Sequence, residues 1–494
     1  MKNSKLVVVL VLAIILTGAG VLRLYDLEEE SLWLDECFTL NYGSQSIDGL
    51  VETLKNDVHP IGYYLPQHLL IDYFGTGEIT LRILSVFFGV LSVFLTYLLA
   101  RKLFSWKEGL LAAFFMAVSY TSILYSQEAK MYSMFGAFFL LSLISFIRFL
   151  KRPSLLNILF FSISAVLLLY SHIIGLVVLF CYILLYLTGY MLLQNKMERP
   201  HFISRVIPGK KFYLARFMAA FGLILLLYLP WLKMLVFYQL PLLYISLGSK
   251  LIEKLGFNLL PVVAGIAIFF ILLYVVGLYL IITGKIKFMV WERLKNIFVI
   301  FTNEKIIFWL LFCFLIFDFW LSRSLFSSVH IIRFSFFLLP PCYILLSWIL
   351  LLMKRNNLAT IFLILFVISA SFELYKYYNL DSKEQFREAA EYIESHASAA
   401  DVLFLHRATI AKQCFDYYYS ENVEEVRLIT PGEDDHLLIE RASGKRDAYL
   451  ILSHNYHTKD YFKQKMDSLY EFKEEKKFIG VTVYRYEVSG DSNH

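Results

Sequence analysis

Long apolar runs broken by short charged stretches set the pattern of this chain. The opening segment, MKNSKLVVVLVLAIILTGAGVL, joins a basic start to an apolar run about long enough to cross a bilayer, and reads as an uncleaved first helix. Further apolar runs follow at roughly 80–100, 109–125, 132–148, 154–171, 173–194, 217–235, 257–283, 306–321, 334–353 and 358–376. Each is near the length of about 20 residues that a hydrocarbon core requires, so the pattern predicts about eleven transmembrane helices.

The charged stretches between them set the orientation. Alternate loops carry RKLFSWK (101–107), RFLKR (148–152), KMERPHFISRVIPGKKFYLAR (196–216), KIKFMVWERLK (285–295) and KR (354–355), while the others hold far fewer basic residues. Basic loops stay in the cytoplasm. The N-terminus is then cytoplasmic, and residues 23–79, several short loops and the tail from about 377 face outward.

The tail changes period. DSKEQFREAAEYIESHA and YFKQKMDSLYEFKEEKK read as amphipathic helices, whereas DVLFLH, AYLILS and FIGVTVYRYEV read as short buried strands. The predicted fold is an α-helical polytopic membrane protein over residues 1–376, including the outer loop 23–79, followed by a small extracytoplasmic α/β domain at 377–494. No internal repeat, Gly-rich phosphate loop or low-complexity tract interrupts this plan.

Composition agrees. With 58% hydrophobic and 18% charged residues in 494, and a mean hydropathy of +0.61, the chain lies outside the range of ordinary globular proteins. The net charge of +5 resides in the loop clusters, where topology accounts for it, and no nucleic-acid partner follows. Cys37, Cys181, Cys313, Cys342 and Cys414 have neither metal-ligand nor disulfide-framework spacing, and read as small buried apolar residues.

Against this apolar background the stretch SLWLDECFTL (31–40) is unusual, because it sets Asp35 and Glu36 among Trp33, Leu34 and Phe38 just outside the first helix. A carboxylate there needs a partner, a shifted pKa or a polar boundary. The same outer region holds NDVHPIGYYLPQHLL (56–70), with His59 entering an aromatic segment suited to the membrane interface. The next outward turn, YSQEAKMYS (125–133), sets Glu128, Lys130 and Tyr132 at the start of a helix, where Lys130 either snorkels or meets a lipid-linked phosphate. Arg333, in SRSLFSSVHIIRFSFFLLPP (322–341), and Arg82, at the outer mouth of the second span, are each either a topological anchor or a phosphate contact. Carboxylates and cations thus converge on one face of the membrane, which suits a polar reaction on a lipid-anchored substrate.

The motifs SLWLDE, the His-Pro segment, FGTGEITLRILSVFFGVLSVFLTYLLARKLF and YTSILYSQEAKMYSMF resemble those of the family 39 glycosyltransferases. These are members of the GT-C superfamily related to protein O-mannosyltransferases and lipid A aminoarabinose transferases. The resemblance covers about the first 150 residues, and RFSFFLLPP (333–341) is similar to the start of a late helix in the family. This chain departs from the pattern in having Cys37 where a small residue such as Ala is common, Lys130 for Arg, and Phe334 for Tyr. Lys for Arg keeps a point charge and loses the bidentate fork.

The resemblance implies an inverting transfer of a sugar from a polyprenyl-phosphate donor to an acceptor nucleophile, at the outer face of the cell membrane. It implies Asp35 as general base, although local physics does not rank Asp35 above Glu36. Lys130, Arg333 and Arg82 are the candidate contacts to the donor phosphate. His59, Glu128 and Tyr132 are candidates for positioning substrate. Asp35 and Glu36 also suit a hard divalent cation, though nothing in their spacing requires one and no cofactor is assigned. The acceptor, whether protein, lipid or glycan, is left open.

A transporter or flippase is the alternative from another class; it predicts charges at helix centres and inverted repeats, whereas charge here gathers at helix ends. A polysaccharide polymerase would share the donor chemistry. In the tail Asp401, His406, His454 and His457 lie in separate segments without a ligand pattern, and solvated or structural roles are expected for them.

Overall fold

The computed structural model describes residues 2–194, 214–245, 333, 336–353, 357–406, 410–420, 423–453 and 459–488. The expected spans at 257–283 and 306–321, the loop at 285–295, most of that at 196–216, and Phe334, His454 and His457 lie outside them.

The chain opens with α1 (Lys2–Leu24), followed by three short helices, α2 (Leu34–Gly43), α3 (Ile47–Thr53) and α4 (Tyr64–Phe74). The apolar helices then run as α5 (Glu78–Leu103), α6 (Trp106–Val118), α7 (Tyr120–Leu124), α8 (Tyr132–Lys151), α9 (Leu155–Ser171), α10 (Gly175–Gln194), α11 (Leu214–Met234), α12 (Leu339–Leu352) and α13 (Asn357–Asn379). Five helices among the described residues are long and apolar enough to cross a membrane: Lys5–Leu24, Glu78–Leu103, Tyr132–Lys151, Leu214–Ile245 and Ala359–Asn379. Leu6, Val9 and Ile14 on α1, and Ile364, Leu365 and Phe372 on α13, are exposed, a surface suited to lipid.

The run at 109–125, expected as one span, is divided. α6 ends at Val118, Ser119 is extended, and its side chain caps α7 by accepting from Ser122 N. Carbonyls released at the end of α6 would be orphaned in an apolar setting. The fully buried Arg23 guanidinium takes them, donating to Met116 O (3.2 Å) and Ala117 O (3.1 Å), and also to Ser122 Oγ (2.7 Å) and Ser126 Oγ (3.1 Å). α11 is interrupted too: Pro230 removes one backbone donor, and a π turn follows at Leu235–Gln239. That turn aims Gln239 at the loop before α4, where its Nε2 donates to His59 O (2.8 Å).

The tail is an α/β unit with helices α14 (Phe386–His396), α15 (Ile410–Tyr418), α16 (Asp435–Ala442) and α17 (Lys459–Leu469). Its strands are β1 (Val402–His406), β2 (Glu424–Leu428), β3 (Asp447–Ser453), β4 (Glu471–Phe478) and β5 (Val481–Glu487), in the order β2-β1-β3-β5-β4. β1 pairs in parallel with β2 and β3, and β5 lies antiparallel to β3 and β4. The stretch YFKQKMDSLYEFKEEKK, expected as one helix, changes state at Tyr470. Its second half pairs with β5 as an exposed, charged edge strand, closed by Gly480 at φ +72. Tertiary pairing outweighs the helix propensity of Glu and Lys here, and the charges protect the open edge.

This unit does not stand apart from the helices. Leu32, Cys37, Leu81 and Ala129 share one core with Phe386, Ile393, Leu403 and Phe415. Each large apolar side chain fully buried there contributes about 1.5–3 kcal/mol, against about 0–1 for exposed ion pairs such as Lys473–Glu487. The apolar core therefore dominates the docking. Two of the cysteines read as plain apolar residues are joined: Cys37 and Cys414 form a disulfide with Cα atoms 5.5 Å apart. The separation of 377 residues hides this pairing from any spacing rule.

Replacing either cysteine by Ser should lower stability by about 2–4 kcal/mol, read as a fall in melting temperature in detergent. An unchanged melting temperature would mean that the bond does not form.

Candidate functional site

α2 begins where Trp33 is extended (ψ 170), and its first turn carries Asp35 and Glu36, negative charges that favour a helix N-terminus. Successive helical residues point about 100° apart. The two carboxylates therefore enter different surroundings.

Glu36 points inward and is fully buried. Arg82 grips it with two bonds, Nε to Oε1 at 2.9 Å and Nη2 to Oε2 at 2.7 Å. Ala129 N adds a third at 2.9 Å, and Lys383 Nζ lies 3.5 Å from Oε2. Burial alone would raise the pKa of this carboxyl, but Arg82, then Lys383 and the Ala129 amide, outweigh it and hold Glu36 at about 2. Arg82 spends its other N–H groups on Leu27 O (2.7 Å), Glu30 O (3.0 Å) and Ser31 O (3.2 Å). A guanidinium has five donors, and all are used. The geometry thus differs from the sequence expectation for both residues: Arg82 has no N–H left for a phosphate, and Glu36 has no lone pair turned toward solvent. The Asp35–Glu36 pair considered for a divalent cation is split, and among the described residues no group of three or more His, Cys, Asp or Glu side chains converges on one point.

Asp35 points outward and keeps partial exposure, 24% of its side chain. Its Oδ2 meets Arg333 Nη1 at 2.6 Å, and the Arg333 guanidinium lies 4.3 Å from the Trp33 ring centre. Residues 298 positions apart are thereby joined at a common mouth. A third carboxyl is close by: Glu128 is buried, and its Oε2 has no hydrogen-bond partner among the described residues. Burial pushes its pKa up to about 8; Lys383 and Arg333 oppose the rise, while Glu36 and Asp35 add to it. Glu128 is accordingly largely protonated at neutral pH. Tyr132 is buried within electrostatic reach of Asp35, Arg333 and Glu128.

The loop that bears these groups is fastened through its backbone. Gln127 donates to Arg23 O (3.2 Å) and Tyr25 O (2.8 Å), Thr39 Oγ1 to Ala129 O (2.7 Å), and Ser85 Oγ to Lys130 O (3.0 Å). Lys130 Nζ lies over the rings of Phe38 (5.6 Å) and Tyr64 (5.8 Å) and makes no hydrogen bond or ion pair among the described residues. Such ring faces hold a cation without neutralising it.

His59 belongs to a neighbouring cluster that includes Asp57, which sequence reasoning did not single out. Asp57 Oδ1 lies 2.6 Å from His59 Nδ1, and Tyr42 donates to Oδ2 at 3.0 Å. Burial would raise the Asp57 pKa, but His59 and then Lys130 hold it below the usual carboxylate range. In the tail, Asp401 is buried and receives Ser398 N (2.7 Å), Asp447 N (3.1 Å) and Arg446 Nη2 (2.9 Å), while His406 is buried beside Phe462. Neither joins the mouth.

Sequence reasoning also missed Lys383, Glu384 and Tyr418. Glu384 Oε2 accepts Leu34 N at 3.0 Å, and Tyr418 OH accepts Leu32 N at 2.7 Å. Burial and Asp35 push the Glu384 carboxyl up to about 7, against the pull of Leu34 N–H and Arg333.

No family model matches the chain, and no curated protein matches it. Among solved structures it is similar to the archaeal oligosaccharyltransferase AglB from Archaeoglobus fulgidus in complex with an inhibitory peptide and a dolichol-phosphate. Identity there is 12%, over 98% of this chain and 74% of that one, with a TM-score of 0.49. It is also similar to ArnT from Cupriavidus metallidurans in the apo state (13% identity, 98% of each chain, TM-score 0.48) and bound to undecaprenyl phosphate (12%, 99% of each, 0.45). Likeness at this level transfers no role to any residue.

The buried pair generates two expectations. Arg82→Ala strands Glu36 and should cost about 3–5 kcal/mol, read as lost folded yield and a lower melting temperature. Because folding lowers the Glu36 pKa, its contribution is present above the ordinary value of about 4.3 and fades as pH falls toward about 2. Acid unfolding of the wild type should therefore extend through that window, and the Arg82→Ala protein should lack this part of it.

Proposed function

We propose that this protein is a GT-C type membrane glycosyltransferase that moves a sugar from a polyprenyl-phosphate donor to an acceptor at the extracytoplasmic face, with inversion. One observation carries the reading: of two adjacent carboxylates, one is consumed by the fold and the other faces a cation at a partly open mouth. The linked motifs around SLWLDE, the His-Pro segment and YSQEAKMYS support the same assignment. So does the Cys37–Cys414 bond, since disulfides persist in oxidising compartments outside the cytoplasm.

In this scheme Asp35 takes the proton from the acceptor nucleophile as that atom attacks the anomeric carbon. The bond from that carbon to the phosphate oxygen breaks, and polyprenyl phosphate leaves with the electron pair. A hydroxyl is a poor nucleophile until its proton is removed, which is the reason for a base. The leaving phosphate needs charge stabilisation more than a proton. Arg333 and Lys130 supply it, Arg333 by exchanging part of its contact with Asp35 for the incoming phosphate and Lys130 from its aromatic seat. Protonated Glu128 offers an O–H donor to the sugar or phosphate, with Tyr132 beside it, and His59, held by Asp57, lines the acceptor side. No step is routed through a divalent cation. Glu36 and Arg82 act by holding the turn.

The direct test supplies the purified protein in lipid with labelled polyprenyl-phosphate sugars and an acceptor extract, beside an Asp35→Asn variant. Loss of transfer by at least about 10²-fold in a folded, donor-binding variant is expected. Transfer that survives Asp35→Asn removes Asp35 from the chemistry, and carrier movement across the bilayer without transfer by the wild type points to a flippase.

A further inference from the structure

The segment 380–385, between α13 and α14, lies along the turn that precedes α2. Ser382 N and Lys383 N donate to Glu30 Oε1 (2.6 and 3.2 Å), and Ser31 Oγ donates to Glu384 O (2.5 Å). On its other side Gln385 N donates to Ile479 O, and Ile479 N to Gln385 Oε1, both at 2.9 Å. The segment is thus stitched to the catalytic turn and to the β4–β5 hairpin at once.

At its centre stands the bond from Leu34 N to Glu384 Oε2. Leu34 opens α2, and its amide is one of the donors that a helix leaves without an internal acceptor. A capping side chain at the preceding residue usually serves the N–H groups of the second and third residues of that first turn. Trp33 has none to offer, and no side-chain cap is made there. The acceptor instead comes from 350 residues away. Space for it is built in: a Cβ on Gly480 would fall 2.6 Å from Glu384 Cγ.

We infer that Glu384 is a positioning residue, which caps α2 from the tail and so fixes the direction in which Asp35 meets Arg333 and the acceptor. The inference rests on the reading of Asp35 as general base. It gives the tail a part in the reaction: the α/β unit holds the catalytic turn in register, and the disulfide two residues beyond Asp35 keeps that unit in place.

The test uses the full chain in lipid, with Glu384→Ala and Glu384→Gln. Gln still presents an oxygen to Leu34 N–H, whereas Ala does not. Amide exchange over residues 34–36 should quicken about fivefold or more in Glu384→Ala, as for loss of a helix cap, and stay near wild type in Glu384→Gln. The kcat for transfer should fall about tenfold or more in Glu384→Ala with the donor KM little changed, because a small misplacement of a reacting group is costly. Glu384→Gln should recover most of that rate. Unchanged exchange in Glu384→Ala overturns the inference, as does quickened exchange with an unchanged kcat, or a Gln variant as defective as Ala. Should Glu384→Ala fail to fold, Glu384→Gln decides alone, and a fall in kcat with wild-type exchange counts against the cap. Exchange needs no substrate, so a wild type that transfers no sugar sinks the reading of the reaction while leaving the cap to be judged by exchange.

Discussion

The buried pairing of Glu36 with Arg82 is the contact from which the organisation of the candidate site follows. Two charges taken out of water cost several kcal/mol each, and an interior ion pair recovers this only with good geometry and further hydrogen bonds. Both conditions hold here. The pair is bidentate, Ala129 N and Lys383 complete the carboxylate, and three carbonyls of the 27–31 segment complete the guanidinium. One pair therefore joins α2, the mouth of α5, the loop before α8 and the entry to the tail.

Fixing Glu36 inward decides where Asp35 points. A neighbour on the same helical turn has to face elsewhere, and it emerges beside Trp33 and Arg333. The contrast between the two carboxylates is then a matter of environment: one is held ionised by a full set of donors, the other keeps an exposed edge and a single cation. Glu128 is the third case, a buried carboxyl with one oxygen unsatisfied among the described residues, pushed toward its neutral form. Two neighbouring carboxyls are thereby pushed in opposite directions, Glu36 down by its full set of donors and Glu128 up by burial.

Much of this was legible in the sequence because it follows local rules. The spans at 80–100, 132–148 and 154–171 are close to α5, α8 and α9, since an apolar run of that length has few alternatives near a membrane. Asp35, Lys130 and Arg333 stood out as charges against apolar background. What stayed hidden depends on distance along the chain. Nothing local shows that Ser119 would break the run at 109–125, for the break depends on Arg23 reaching freed carbonyls. Likewise EFKEEKK has the composition of a helix and becomes a strand through pairing with β5. The Cys37–Cys414 bond left one usable sign: by the loop charges both cysteines fall outside the cytoplasm, whereas Cys181, Cys313 and Cys342 lie in apolar runs. The separate fates of Asp35 and Glu36 left none, because adjacent residues of the same charge differ only through what the fold brings to each.

The central claim is that of two adjacent carboxylates Glu36 holds the fold and Asp35 is not needed for it. The most direct measurement is side-by-side thermal unfolding of Glu36→Gln and Asp35→Asn in the same detergent. The account predicts that Glu36→Gln, which leaves the buried Arg82 charge uncompensated, loses about 3–5 kcal/mol, while Asp35→Asn, at a partly exposed pair, changes stability by no more than about 1. Equal losses in the two variants, or a stable Glu36→Gln beside an unstable Asp35→Asn, would contradict it.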